Sequence, residues 1–341
     1  MQPIAKKSAP LSPVPVSQSP NGLVKVPSIG LALGGGGARG LAHILMLEAF
    51  DELAIKPKII AGTSIGAIFG AAYASGLSGR EIRAHTGEVL SQRFALMRDL
   101  FAARAQPMQR LLNLFSAPSA MFNADALLDL VMPKGTKTDF ADLEIPLKIV
   151  ASDFYDQEPT IFSEGPLFSA IAASMALPAV FEPVIVNGRA MIDGGLTNPL
   201  PFDLLAAECD LVVAIDVSGT PMPNPKRDYP SALEALFASA FLFERSIVRE
   251  KLKSAQPDIL IHAGTGQFQA LEFLKYAEIF AAAEPAKERL KAQLEKVLSV
   301  ETLAQIDGGT GPMIEIPAPV AAKAVKAPRR KLLTRRSKTE D

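Results

Sequence analysis

Ser64 stands between two glycines in Gly62-Thr63-Ser64-Ile65-Gly66. This is the G-x-S-x-G spacing of a hydrolase nucleophile elbow, where a tight strand-to-helix turn pushes a serine hydroxyl outward. The same five residues could also form a plain strand-to-helix turn with a capping hydroxyl. A serine attacks only when a neighbour takes its proton. The chain has three histidines, His43, His85 and His262. The order Ser64, acid, His262 suits an α/β-hydrolase triad, and His262 closes the apolar run "ILIH". Against that triad, the elbow falls on only the second strand, with little sheet built before it. His43, three residues after Gly40, reads as a packing or loop-anchoring residue, and His85 as exposed on a polar helix. The remaining candidate is Asp193 in "MIDGG", followed by Gly194 and Gly195, which permit close backbone approach. A carboxylate bonded directly to a hydroxyl can serve as general base. An Asp-Gly-Gly run is also an ordinary turn.

A second cluster lies upstream. "GGGGARG", Gly34 to Gly40, follows an apolar run and precedes a helical pattern. Gly35, Gly37 and Gly40 fit the G-x-G-x-x-G dinucleotide fingerprint, but that reading needs an acid at the end of the second strand. Here the second strand ends in Ala61-Gly62-Thr63-Ser64. Successive glycines before a helix instead leave bare N–H groups suited to an anion or oxyanion. The amides of Gly35, Gly36, Gly37 and Ala38 are the candidates. Arg39 either pairs with an acidic or phosphate group or anchors the loop.

These residues need a sheet to bring them together. "SIGLAL" and "KPKIIAG" read as buried strands, each ending in one of the two loops, with helical patterns after both. Strand, helix, strand, helix with short connections argues for a parallel sheet, whose loops open at its carboxyl edge. "PLKIVASDF", "EPTIF", "DLVVAIDVS" and "PDILIHAG" add strands, and "PVIVNGRAMIDGG" a hairpin turning at Asn187-Gly188. "GPLFSAIAASMALPAVF" reads as helical up to Pro178, and helices of about 20 residues flank the last strand, the second starting near Ala270.

Composition sets the boundaries. Residues 1–27 are rich in Pro and Ser and read as a disordered arm; 28–316 hold one α/β domain; 317–341 read as a disordered basic tail. The arm carries +3 and the tail +6; taken from a net charge of −1, they leave −10 for the body. An acidic body argues against nucleic-acid binding by the folded domain, whereas the tail suits peripheral contact with an anionic membrane. Ile59 to Gly79 is uncharged and long enough to span a bilayer, but Gly-Thr-Ser at its centre favours a buried strand, turn and helix. With no apolar leader and one cysteine, Cys209, the expected location is cytoplasmic.

Taken together, "LALGGGGARGLAHI", "GTSIG" some two dozen residues later, "ASMALPAVFEPV" and a distant "DGG" resemble the patatin-like phospholipases, in particular the bacterial and neuropathy-target-esterase-like branch. The resemblance covers residues 28–300, with Leu45 a departure where a small residue is expected. It implies an α/β, three-layer patatin-like fold, a central mostly parallel sheet flanked by helices. It also implies a Ser–Asp dyad, with Ser64 as nucleophile and Asp193 as base, an oxyanion hole from Gly35, Gly36, Gly37 and Ala38, and no metal or cofactor. Arg39, Gly40, Gly62, Gly66, Gly194 and Gly195 complete the loops. The implied substrates are phospholipids or lysophospholipids, split through an acyl-serine intermediate. A non-catalytic lipid- or protein-binding member and a His262-dependent esterase are the alternatives. The apolar stretches 94–122 and 233–243 are candidates for an acyl channel or an interfacial lip, although helical stripes of this kind more often make ordinary core, the reading favoured here.

Overall fold

The computed structural model describes residues 27–92, 124–220, 229 and 232–299. Its sheet is built from β1 (Ile29–Leu33), β2 (Ile59–Thr63), β3 (Leu147–Asp153), β4 (Pro159–Phe162), β5 (Val184–Val186), β6 (Arg189–Asp193), β7 (Leu211–Asp216) and β8 (Ile259–His262). Pairing runs β5-β6-β3-β2-β1-β7-β8, with β4 on β3. The β3-β2-β1-β7-β8 stretch is parallel. Among the described residues the α-helices are α1 (Ala42–Glu52), α2 (Ile65–Ala74), α3 (Gly79–Gln92), α4 (Ala124–Val131), α5 (Leu167–Ser174), α6 (Ala232–Ser254) and, after the last strand, α7 (Tyr276–Leu298).

The central strands are continuous apolar runs because both faces of the sheet are covered. Ile29, Leu31 and Leu33 of β1 point into one core with α1, α2 and α7. Ala32, between them, points into another with Val248 of α6 and Leu200, Phe202 and Leu205. Two cores on opposite faces make three layers, as expected for an α/β domain. Leu45, the departure noted above, is fully buried in the larger core.

One feature of the register positions the site. Ile149 and Val150 pair with both β2 and β4, and Ala151 and Ser152 with both β4 and β6. A strand has two edges, so β2 and β6 share the edge that β4 leaves free. They meet there end to end, Thr63 opposite Val150 and Asp193 opposite Ala151. Residues 129 apart in sequence are thereby brought face to face.

Two helices differ from the sequence expectation. α5 stops at Ser174, short of Pro178, and residues Met175–Phe181 continue in hydrogen-bonded turns. A proline disfavours helix at the residue before it, and the irregularity here starts a turn earlier. α7 starts at Tyr276, not near Ala270, whose carbonyl is taken by the N–H of Ala38 at 2.7 Å.

Candidate active site

β2 ends at Thr63 and α2 starts at Ile65, so Ser64 alone makes the turn, with φ 54° and ψ −121°. For a residue with a side chain this backbone is strained, typically by about 1–3 kcal/mol. The flanking glycines let the turn close. A Cβ on Gly62 would stand 2.6 Å from the Gly66 carbonyl oxygen, and one on Gly66 would stand 2.2 Å from that of Leu33. Side-chain hydrogen bonds hold the turn on either side. Thr63 Oγ1 donates to the Asn198 carbonyl at 2.8 Å, and the Ser64 N–H donates to Ser174 Oγ at 2.8 Å. Sequence reasoning passed over Ser174, which becomes available because α5 ends on it.

Ser64 Oγ donates to Asp193 Oδ2 at 2.7 Å. The other carboxylate oxygen, Oδ1, accepts the Gly195 N–H at 2.8 Å. Asp193 is also pinned by its backbone, through its N–H to Ala176 O and its carbonyl to Ser152 Oγ. Burial raises its carboxyl to about 6, partly offset by the two hydrogen bonds to the anion. A carboxylate of that strength is a better proton acceptor at neutral pH than an exposed one.

Gly35, Gly36 and Gly37 line the same cavity as Ser64 and Asp193. The structure narrows the expected cradle. The Gly35 N–H donates to Pro199 O at 2.9 Å and the Ala38 N–H to Ala270 O, so both amides are engaged. Among the described residues, the amides of Gly36 and Gly37 donate to nothing.

Arg39 anchors this loop. It is 4 % exposed, its Nε donates to Gly36 O at 3.1 Å, and its guanidinium lies 4.8 Å from the centre of the Phe241 ring. Burial lowers its pKa, opposed by Glu244 and Asp216. His43 anchors the loop from beneath. Its Nε2 donates to Gly34 O at 2.8 Å, and burial lowers its pKa to about 4, so the ring is neutral. His85 is half-buried and bonded to Val131 O, a correction to the exposed position expected for it. Ordinary helix packing against α4 accounts for it. His262 is bonded through Nδ1 to Asp216 Oδ2 at 2.9 Å, and its side chain is 67 % exposed. It does not line the Ser64 cavity.

That cavity encloses about 1110 Å³ with its open mouth, walled by apolar side chains such as Ile68, Phe69, Val89, Leu127 and Phe241. Ser64 and Asp193 line it together with Glu244, a buried acid that sequence reasoning missed. Of the apolar stretches singled out, 94–122 lies outside the described residues. Phe241 from 233–243 reaches the cavity, while Leu242 and Phe243 are 60 % and 61 % exposed. Among the described residues no helix is long and apolar enough to cross a membrane.

Comparison with known proteins follows the same lines. The patatin-like phospholipase family model matches residues 31–206, from β1 through the residues beyond Asp193. An uncharacterized NTE family protein of Mycobacterium tuberculosis is 36 % identical over 203 residues, covering 59 % of this chain and 52 % of that one. The lysophospholipase NTE1 of Saccharomyces cerevisiae is 27 % identical over 276 residues, 74 % of this chain and 16 % of that one. The chain thus spans about half the length of the mycobacterial relatives it matches. Among solved structures, VipD of Legionella pneumophila aligns with a TM-score of 0.43 at 14 % identity, over 78 % of this chain and 66 % of that one. The chain belongs to the patatin-like phospholipase family, in the branch that includes the NTE proteins.

Proposed function

We propose that the chain is a serine hydrolase of lipid acyl esters, acting on phospholipids or lysophospholipids through an acyl-serine intermediate. The observation that carries this reading is the 2.7 Å hydrogen bond from Ser64 Oγ to Asp193 Oδ2 in a cavity walled mainly by apolar side chains. Ser64 Oγ bonds to the ester carbonyl carbon while its proton passes to Asp193 Oδ2. The carbonyl oxygen takes up negative charge and is received by the N–H groups of Gly36 and Gly37, each such donor typically contributing about 100- to 1000-fold in rate. Collapse of the tetrahedral species breaks the ester C–O bond, and the Asp193 proton leaves on the alcohol. Water then attacks the acyl-serine, giving its proton to Asp193, and the carboxylic acid departs as Ser64 recovers its hydrogen.

The apolar walls suit an acyl chain, since ligand cavities are lined mainly by apolar side chains with a few placed polar groups. Leu271, which lines the cavity, is exposed, as are Leu242 and Phe243 directly after the lining residue Phe241, and exposed apolar side chains beside the cavity suit contact with a lipid surface. The name of the yeast relative, a lysophospholipase, favours single-chain phospholipids among the substrates.

The test is labelling by a fluorophosphonate together with fatty-acid release from a panel of phospholipids and lysophospholipids. The expected result is one phosphonylated residue, Ser64, and fatty-acid release that S64A reduces to background, at least about a thousandfold. Release that persists in folded S64A would overturn the reading.

A further inference from the structure

A second carboxyl shares the site with Asp193. Glu244, on α6, is 6 % exposed and lines the Ser64 cavity. The two carboxyls converge on Gly195: a Cβ built there would stand 2.7 Å from Glu244 Oε1 and 3.1 Å from Asp193 Oδ1. A residue other than glycine at this position would displace one of them.

Their surroundings differ. Asp193 receives the Gly195 N–H and the Ser64 hydroxyl, both of which favour its anion. Among the described residues the Glu244 carboxyl makes no hydrogen bond and no ion pair. Two charged groups face it, Asp193 from β6 and Arg39 from the turn before α1. Arg39 acts from beyond ion-pair contact, with its Nε directed to Gly36 O and Phe241, also on α6, over its guanidinium. Burial raises the Glu244 carboxyl most, the Asp193 charge raises it further, and Arg39 only partly opposes them, bringing it to about 8. Two carboxyls so placed do not both ionise at neutral pH, and the single charge goes to the one whose anion is hydrogen-bonded.

We propose that Glu244 serves the catalytic site as a neutral carboxyl, a positioning residue that keeps the pair's one negative charge on Asp193, and that loss of its proton closes the site at alkaline pH. The inference rests on the reading of Ser64 and Asp193 as nucleophile and base. A second anion in this mainly apolar cavity opposes the negative charge that must build on the substrate carbonyl oxygen. It also repels a phosphodiester head group. Asp193 therefore sets the acid limb of the rate profile and Glu244 the alkaline limb, each limb reporting the pair rather than one residue.

Two measurements on the full chain test this. The first is the rate of Ser64 phosphonylation and of hydrolysis of a neutral p-nitrophenyl ester across about pH 5 to 10, in the parent and in E244Q. Glutamine keeps the shape and cannot ionise, so the ratio of the rate at pH 9.5 to that at pH 7 should rise about tenfold or more in E244Q. An alkaline limb left in place in E244Q overturns the inference and leaves the serine-hydrolase reading standing. Absence of Ser64 phosphonylation in the folded parent at every pH overturns that reading itself. The second measurement is a carbon-13 titration of glutamate carboxyls in the resting protein, which needs no turnover. One carboxyl should titrate near pH 8 in the parent, vanish in E244Q and move to lower pH in D193N. If every glutamate of the parent has ionised by pH 6, the inference fails.

Discussion

Two acid-bearing pairs sit at strand ends of one sheet, and they differ in every respect that matters for chemistry. Asp216 and His262 end the neighbouring parallel strands β7 and β8 and join at 2.9 Å. They look like two-thirds of a hydrolase triad. Yet the imidazole is largely exposed, and the serine that would complete a triad has its own partner. Ser64 and Asp193 have no histidine between them, but lie where β2 and β6 run into each other along one edge of β3. A carboxylate there is dry enough to accept a proton itself. Under the proposed mechanism, the contrast says that hydration and register select the base. In the His262 pair, burial is the largest single influence and raises the Asp216 carboxyl, but the hydrogen bonds from His262 and Ser218 and the imidazole charge together outweigh it and pull the carboxyl below its ordinary range. In the Ser64 pair, burial wins over the hydrogen bonds and pushes Asp193 above it.

The sharpest way to break this comparison is D193N. Asparagine fits the same space without a proton-accepting carboxylate, so turnover should fall by about 100- to 10,000-fold. The stability effect has the opposite sign. Because the folded-state carboxyl of Asp193 is raised, its contribution is fully present below the unfolded value and lost as pH rises through about 6. D193N should therefore melt higher than the parent at pH 8, with no gain near pH 4. Thermal melts at the two pH values read this directly; a variant less stable at pH 8 would mean that Asp193 is held for structure.

Next in size is the turn itself. G66A places a methyl group 2.2 Å from the Leu33 carbonyl oxygen, backbone against backbone, with no flexible side chain to give way. Overpacking of this kind costs about 1–3 kcal/mol or more, and the displaced turn moves Ser64 relative to Asp193. The expected outcome is a lower denaturation midpoint together with loss of phosphonylation. Unchanged labelling would show that the elbow tolerates a looser approach than its geometry suggests.

Much of this was legible in the sequence, for physical reasons. The strands announced themselves as continuous apolar runs because both sheet faces are covered, and Asn187-Gly188 marked its hairpin because both residues take positive φ. Ser64, the glycine loop and Asp193 were each visible as motifs. Their meeting was not, since it depends on β6 sharing an edge of β3 with β2, and pairing partners are not written in local pattern. The division of the loop's amides, Gly36 and Gly37 left without partners while Gly35 and Ala38 are engaged, depends on Pro199 and Ala270, far away along the chain. Glu244 left a faint trace. It is an acid in "AFLFERSIV", three residues after Phe241 and four before Val248, both of which face inward. An acid on the apolar side of an amphipathic helix is the signal that could have found it.

The smallest expected effect belongs to the other pair, and it separates a base from a bystander. H262A removes the imidazole from Asp216 but touches neither Ser64 nor the cavity, so turnover should stay within about threefold of the parent, far from the loss that removal of a general base causes. Its effect should appear in stability and only on one side of the titration. The Asp216 hydrogen bond raises the His262 pKa, so the pair's contribution is fully present below the unfolded histidine value and lost as pH rises through the folded one. With the imidazole mostly in water, that contribution is below about 1 kcal/mol. Melts of H262A should lie slightly under the parent near pH 5.5 and converge with it near pH 9. A loss of turnover on the scale expected for D193N would instead place His262 in the reaction and make Asp193 the lesser partner. The two variants, measured side by side, thus decide which strand-end pair moves the proton.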